Sequence, residues 1–293
     1  MKASVVGLVA ALVAGCGPVA SADRPTDAPR PAPAEAPGDA RAASAADTER
    51  PDWGDAFAAR GAVGTFVLLD PATGATQRHG ARRAATRYLP ASTFKVYNAL
   101  VALESGAVGD PDSLFAWDGT ERFLPSWNED QSLRDGLARS TVWLYQRVAG
   151  AVGRDRYRAA FAAEPYGSGA IGPDVRLFWL DGSLTVSADE QVAFLDRLRR
   201  GDTAFSDATE ATVRGMMPVL ADTAGVRLVG KTGWGQRDGA PDLGWLVGWV
   251  ERAEGDLVFA LNAEATSPAS GFAFADRLAI VRDVLHREGV LAL

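Results

Sequence analysis

The chain has 293 residues, 47% hydrophobic and 23% charged, which is the balance of a globular protein long enough to bury a sizeable core. A formal net charge of -7, with no run of lysine or arginine, excludes a protein that holds nucleic acid by its phosphates. A single cysteine excludes a disulfide scaffold and a cysteine metal centre.

The first element is a leader. Lys2 precedes an apolar run from Val5 to Val13 that is too short to span a bilayer and is followed by small residues, so residues 1–22 read as a signal peptide. Two processing sites are open. Leu12-Val13-Ala14-Gly15-Cys16 resembles a bacterial lipoprotein box, with a leader ending at residue 15 and a lipid on Cys16; Ala20-Ser21-Ala22 resembles an ordinary cleavage site. The position of the sole cysteine favours the lipoprotein. Residues 23–50 are Ala, Pro, Asp and Arg with almost no large apolar side chain, a composition that cannot offset its ordering entropy, so a disordered tether is expected. Together these features place the protein in a bacterial periplasm or on a membrane through a lipid anchor, with one folded domain over residues 51–293.

The domain opens with a β-prone stretch, Val63 to Leu69, closed by the turn signal Asp70-Pro71-Ala72-Thr73-Gly74. From Ser92 to Glu104 the period is helical, with apolar residues on most sides and Gly106 as the stop. Helices are predicted from Leu133 to Val152, Asp155 to Ala163 and Ala188 to Arg199, the last opened by a capping box of Ser187 and Glu190. After Met217 the pattern changes to strands at Val226–Gly230, Gly244–Val250 and Leu257–Ala263, and Phe274 to Arg287 is a terminal amphipathic helix. The expected fold is α/β: an antiparallel β-sheet flanked by helices, with an inserted all-helical lobe and the site in the cleft between them.

Ser92-Thr93-Phe94-Lys95 sets a hydroxyl at a helix start and an amine one turn later on the same face. A serine hydroxyl is a weak nucleophile until a neighbour takes its proton, and a lysine does so only when burial keeps it neutral or chemistry changes its nitrogen. Phe94, Val96 and Tyr97 give that lysine apolar surroundings. Ser140-Thr141-Val142 follows, and then Lys231-Thr232-Gly233 on a predicted sheet edge. There, Gly233 lets substrate lie against the strand, Thr232 donates to a carboxylate and Lys231 supplies positive potential. The three motifs in this order match the active-serine pattern of β-lactamases and penicillin-binding proteins.

The details resemble the class D, oxacillinase-like β-lactamases over residues from about 60 to the C-terminus. These are Val142 after the second serine, Trp143-Leu144-Tyr145-Gln146, Trp117-Asp118-Gly119, Trp127-Asn128-Glu129-Asp130, Phe178-Trp179-Leu180-Asp181-Gly182 and Glu190-Gln191. The resemblance implies a β-lactam substrate, an acyl-Ser92 intermediate and Lys95 as base, modified by CO2 or bicarbonate to N6-carboxylysine in a pocket formed by Phe94, Val142 and Trp179. It implies no cofactor beyond that CO2. It further implies that Ser140 relays a proton, that Lys231 sets the local potential, that Thr232 and Arg277 hold the substrate carboxylate, and that the N–H groups of Ser92 and Trp234 form the oxyanion hole. One departure is Tyr166-Gly167-Ser168, where the family reads Asn at the third position. Two rivals share the acyl chemistry: a β-lactam-binding sensor that acylates without efficient turnover, which in the family follows membrane helices, and a penicillin-binding peptidase. His79 and His286 lack metal-ligand spacing and are expected at the surface, so no metal site is read. No motif specifies an oligomeric state.

Overall fold

A computed structural model describes residues 47–237, 239–267 and 269–292. The signal peptide, Cys16 and the tether as far as residue 46 lie outside the described residues. Nine strands and nine helices are present among those described: β1 Asp47–Glu49, α1 Gly54–Ala58, β2 Ala62–Leu69, β3 Thr76–His79, α2 Ala81–Ala84, α3 Phe94–Glu104, β4 Leu114–Phe115, β5 Gln131–Ser132, α4 Leu133–Ala138, α5 Val142–Val152, α6 Arg154–Ala163, α7 Ala188–Arg200, α8 Asp207–Met216, β6 Val219–Thr223, β7 Val226–Arg237, β8 Ala240–Glu251, β9 Leu257–Ala265 and α9 Asp276–Arg287.

Seven strands form one sheet in the order β1-β3-β2-β9-β8-β7-β6, antiparallel except for the parallel β1–β3 pair. Side-chain alternation explains its two covered faces. On β9, Val258 and Ala260 point into one buried cluster and Phe259 and Leu261 into the other. The second cluster is completed by Trp53 and Phe57 at the start of the domain and by Ile280, Val281, Val284 and Leu285 of α9. The first is shared with the helices that the chain inserts between β3 and β6, so the expected sheet and helical lobe are both present. Helix α3 is its centre: every residue from Phe94 to Ala102 is buried.

Several boundaries differ from the expectation. The folded part starts before residue 51, because Asp47–Glu49 pairs with Thr76–Arg78 and Arg50 bonds to Asp52 and Glu288. The helix expected from Leu133 to Val152 breaks into α4 and α5 at Arg139-Ser140-Thr141, where Ser140 takes φ 62°. Helix α8, strand β6 and the small β4–β5 sheet had no clear sequence signal. The capping box that starts α7 is formed as expected, with Ser187 Oγ accepting from Glu190 N and a Glu190 carboxylate oxygen accepting from Ser187 N. His79 is half-buried on β3, its ring 5.2 Å from that of Phe57, rather than at the surface; His286 is exposed.

Candidate active site

Ala91–Thr93 forms a single 3-10 turn that runs directly into α3, and Ser92 lies on it with 8% of its surface exposed. Helical spacing brings Lys95 back beneath it: Nζ of Lys95, which has no exposed surface, donates to Ser92 Oγ at 2.6 Å. Burial, and secondly the charge of Lys231, hold the Lys95 amine well below its ordinary pKa of 10.5, so the neutral form that can take a proton is favoured. Phe94 turns the other way and stacks on Trp179 with centroids 5.6 Å apart, inside an aromatic cluster that includes Tyr97, Tyr157 and Phe178.

The turn is over-determined. Ala91 sits at φ 48°, a conformation costing about 1–2 kcal/mol without glycine, and its N–H bonds to Trp179 O at 3.1 Å. A buried chain supports the next residue: Tyr166 OH donates to Gln191 Oε1 at 3.1 Å, Gln191 Nε2 donates to Thr93 Oγ1 at 2.7 Å, and Thr93 Oγ1 donates to Pro90 O at 2.7 Å. The sequence marks Gln191 and Tyr166 as family-like residues but does not reveal this support, which joins α7, a loop and the Ser92 turn.

Ser140 and Lys231 meet across the cleft, with Lys231 Nζ donating to Ser140 Oγ at 3.0 Å and to Thr232 O at 2.9 Å. Burial, and then the charge of Arg277, lower the Lys231 pKa to about 7. Strand β7 is one place in from the sheet edge, yet β6 pairs with it only as far as Val229, so Lys231 to Gly235 pair with β8 alone. The Gly230 N–H bonds to Pro218 O at 3.0 Å on the β6 side, and by strand alternation the N–H of Trp234 faces the same way, beyond the end of β6 and into the cleft. Gly233 lets the strand pass close to the nucleophile turn: a Cβ there would lie a tight 3.1 Å from Pro90 O. Arg277 is buried against Gly244 and donates to Gly233 O at 2.6 Å and to Phe274 O at 2.8 Å, and burial lowers its pKa to about 10.

These groups surround one cavity of about 710 Å³ lined by Ser92, Ser140, Val142, Thr232, Gly233, Trp234 and Arg277. Phe123, Leu124, Trp127, Gln236, Asp242 and Phe274 complete its rim, and most of them lie outside any motif that marks a site. Trp179 lies behind the nucleophile turn with no exposed surface, and its Nε1 has no hydrogen-bond partner among the described residues. Ser168 is exposed, and its Oγ accepts from Thr185 N at 3.1 Å, so the hydroxyl that replaces the family's amide holds a loop. Among the described residues no cluster of His, Cys, Asp and Glu could hold a metal ion.

Fold and site together define an acyl-transfer protein with a serine nucleophile, a buried lysine base and a second serine–lysine pair. The profile of the penicillin binding protein transpeptidase domain matches residues 64–286. The β-lactamase OXA-20 of Pseudomonas aeruginosa is 38% identical over 218 residues, covering 74% of this chain and 80% of its own. The crystal structure of a class D β-lactamase from Sebaldella termitidis superposes with a TM-score of 0.80 at 28% identity, covering 85% of this chain and all of that one, 100%. The regulatory protein BlaR1 of Bacillus licheniformis is 32% identical over 83% of this chain, which matches only 40% of that longer protein. The chain belongs to the transpeptidase-domain family and, within it, to the class D β-lactamases.

Proposed function

We propose that this protein hydrolyses β-lactam rings, penicillins foremost, through an ester on Ser92. The observation that carries the proposal is a fully buried amine, its pKa lowered by that burial, 2.6 Å from a serine hydroxyl at the floor of an open cleft. As Ser92 Oγ attacks the lactam carbonyl carbon, its proton passes to the Lys95 site. The N–H groups of Ser92 and Trp234 receive the carbonyl oxygen as it gains charge. Ser140 gives its proton to the leaving ring nitrogen as the C–N bond breaks, and Lys231, in contact at 3.0 Å, restores it. Thr232 and the Arg277 guanidinium hold the substrate carboxylate. The proton taken from Ser92 makes good the one spent by Ser140 and Lys231, and the Lys95 site then takes a proton from the water that attacks the ester carbon and returns it to Ser92 Oγ as the ester C–O bond breaks.

Lys95 is further proposed to carry CO2 as a carbamate. Carboxylation needs an unprotonated amine, which burial favours, and a carbamate oxygen in reach would satisfy the Trp179 Nε1–H, which has no partner among the described residues. When formed, the carbamate supplies an anionic base for both half-reactions. Export, with Cys16 lipidated, is proposed from the leader alone.

Purified protein is expected to turn over a chromogenic cephalosporin many times, to lose rate in bicarbonate-free buffer and to recover it when bicarbonate is added. The Trp179→Phe variant is expected to need more bicarbonate for half-maximal rate. One equivalent of stable acyl adduct without turnover would defeat the hydrolase and favour a receptor role.

A further inference from the structure

Asp242 has no part in the chemistry above, yet it lines the same cleft as Ser92, Thr232, Trp234 and Arg277, and it is the one acidic side chain among the described residues that does so. Its position follows from the register of β8. Gly244 is opposite Trp234 and Leu243 opposite Gly235, so Asp242 stands just past Gly235 and shares a sheet face with Gly244. Its Oδ2 accepts from Trp234 Nε1 at 2.8 Å. That contact fixes the carboxylate without neutralising it. Of the neighbouring cations, Arg237 is paired with Glu264, whereas Arg277, bonded to Gly233 O and Phe274 O, keeps its charge over the Trp234 ring, 5.3 Å from the centroid. Among the described residues no lysine or arginine forms an ion pair with Asp242.

We propose that Asp242 is a specificity determinant that favours β-lactams whose acyl side chain carries a protonated amine and disfavours those with a second carboxylate in that side chain. The inference rests on the β-lactam function proposed above. A lactam held by its carbonyl at the Ser92 and Trp234 N–H groups, with its ring carboxylate at Thr232 and Arg277, has its acyl substituent on the other side of the reacting carbonyl. A substituent lying along β7 past Trp234 would meet Asp242 and Gln236, which line the cleft there. The Trp234 indole stands between the two charges, with the Arg277 guanidinium over its ring and Asp242 at its Nε1. A zwitterionic substrate matches both charges.

Three penicillins that share a phenylacetyl skeleton and differ at its α-carbon supply the probe: benzylpenicillin with no charge there, ampicillin with an ammonium and carbenicillin with a carboxylate. Asp242→Asn keeps an oxygen to accept the Trp234 N–H and removes only the charge. Relative to benzylpenicillin, the acylation rate constant is expected to fall about 5-fold for ampicillin and to rise by a similar factor for carbenicillin, the size a part-exposed charge pair supplies. Opposite changes in the two charged penicillins cannot come from a repositioned Trp234. Unchanged ratios, or an equal fall for all three, overturn the proposal. Acyl adduct formation followed by mass reads these ratios even without turnover, whereas benzylpenicillin turnover by the unaltered protein judges the hydrolase function separately.

Discussion

Two buried lysines within one cleft set opposite pH limits on the same reaction. Lys95 is held below its ordinary pKa by burial and by Lys231, so it works as a base only where it has lost its proton, and activity falls as pH drops through that point. Lys231 works as a cation, and burial with Arg277 nearby lowers it to about 7, so its charge fades as pH rises through that value. The ratio kcat/KM reports the free enzyme, and its alkaline limb for a carboxylate-bearing penicillin is expected to fall with an apparent pKa near 7. The kcat limb is expected at higher pH, because a bound carboxylate stabilises the Lys231 charge. Lys231→Arg replaces a group that titrates with one that does not, and should move the kcat/KM limb upward by about one unit or more. An unmoved limb would take Lys231 out of the pH dependence. The reacting residues were legible because their spacing is local: Ser92 and Lys95 share a helical turn. Thr93, Gln191 and Tyr166 were not legible as a unit, since their contact spans 98 positions in sequence between Thr93 and Gln191 alone. Asp242 was likewise hidden, because a strand register rather than a motif brings it to the cleft.

At the level of elements, the α4–α5 break shows why a continuous apolar period is not a continuous helix. Leu133 to Val152 contains no Pro, and Gly136 and Gly150 lie away from the break. The chain nevertheless closes α4 with Thr141 N bonded to Gly136 O at 2.9 Å and Ser140 N to Leu137 O at 3.3 Å, a Schellman motif with Ser140 at the left-handed position normally given to glycine. The reason is chemical. A glycine would relieve the backbone but supply no hydroxyl to Lys231, and the left-handed residue is what turns that hydroxyl into the cleft. Removing the hydroxyl in two ways separates the two effects. Ser140→Ala keeps the strain and Ser140→Gly releases it, so the glycine variant is expected to be more stable than the alanine variant by about 1 kcal/mol in denaturant unfolding. Both should acylate slowly. Equal stability of the two would show that the φ of 62° carries no strain. The sheet core was more legible than such joints, because β8 and β9 are long, nearly continuous apolar runs buried on both faces, whereas β6 is a half-exposed strand of five residues whose pairing is decided by its partner.

For the molecule as a whole, the sheet order separates the point where the chain enters the domain from the point where it reacts. Strand β1 is at one edge and β7 is five strands along, a distance of about 24 Å at ordinary strand spacing. Helix α9 ties these two regions together. Its first turn carries Arg277 into the cleft, while Glu288, just past its end, accepts from Trp53 Nε1 at 2.9 Å and pairs with Arg50. The described residues therefore begin, at Asp47, on the edge remote from the catalytic strand. Location and activity are then expected to separate. If Cys16 carries the anchor, Cys16→Ser should move the protein from the membrane to the soluble fraction of cells, while kcat/KM for a chromogenic cephalosporin in the released protein stays within about 2-fold of the unaltered enzyme, the scatter expected for a substitution remote from a site. Membrane association that survives the substitution would remove Cys16 as the anchor. A large loss of kcat/KM would instead show that the entry edge and the cleft are coupled through α9.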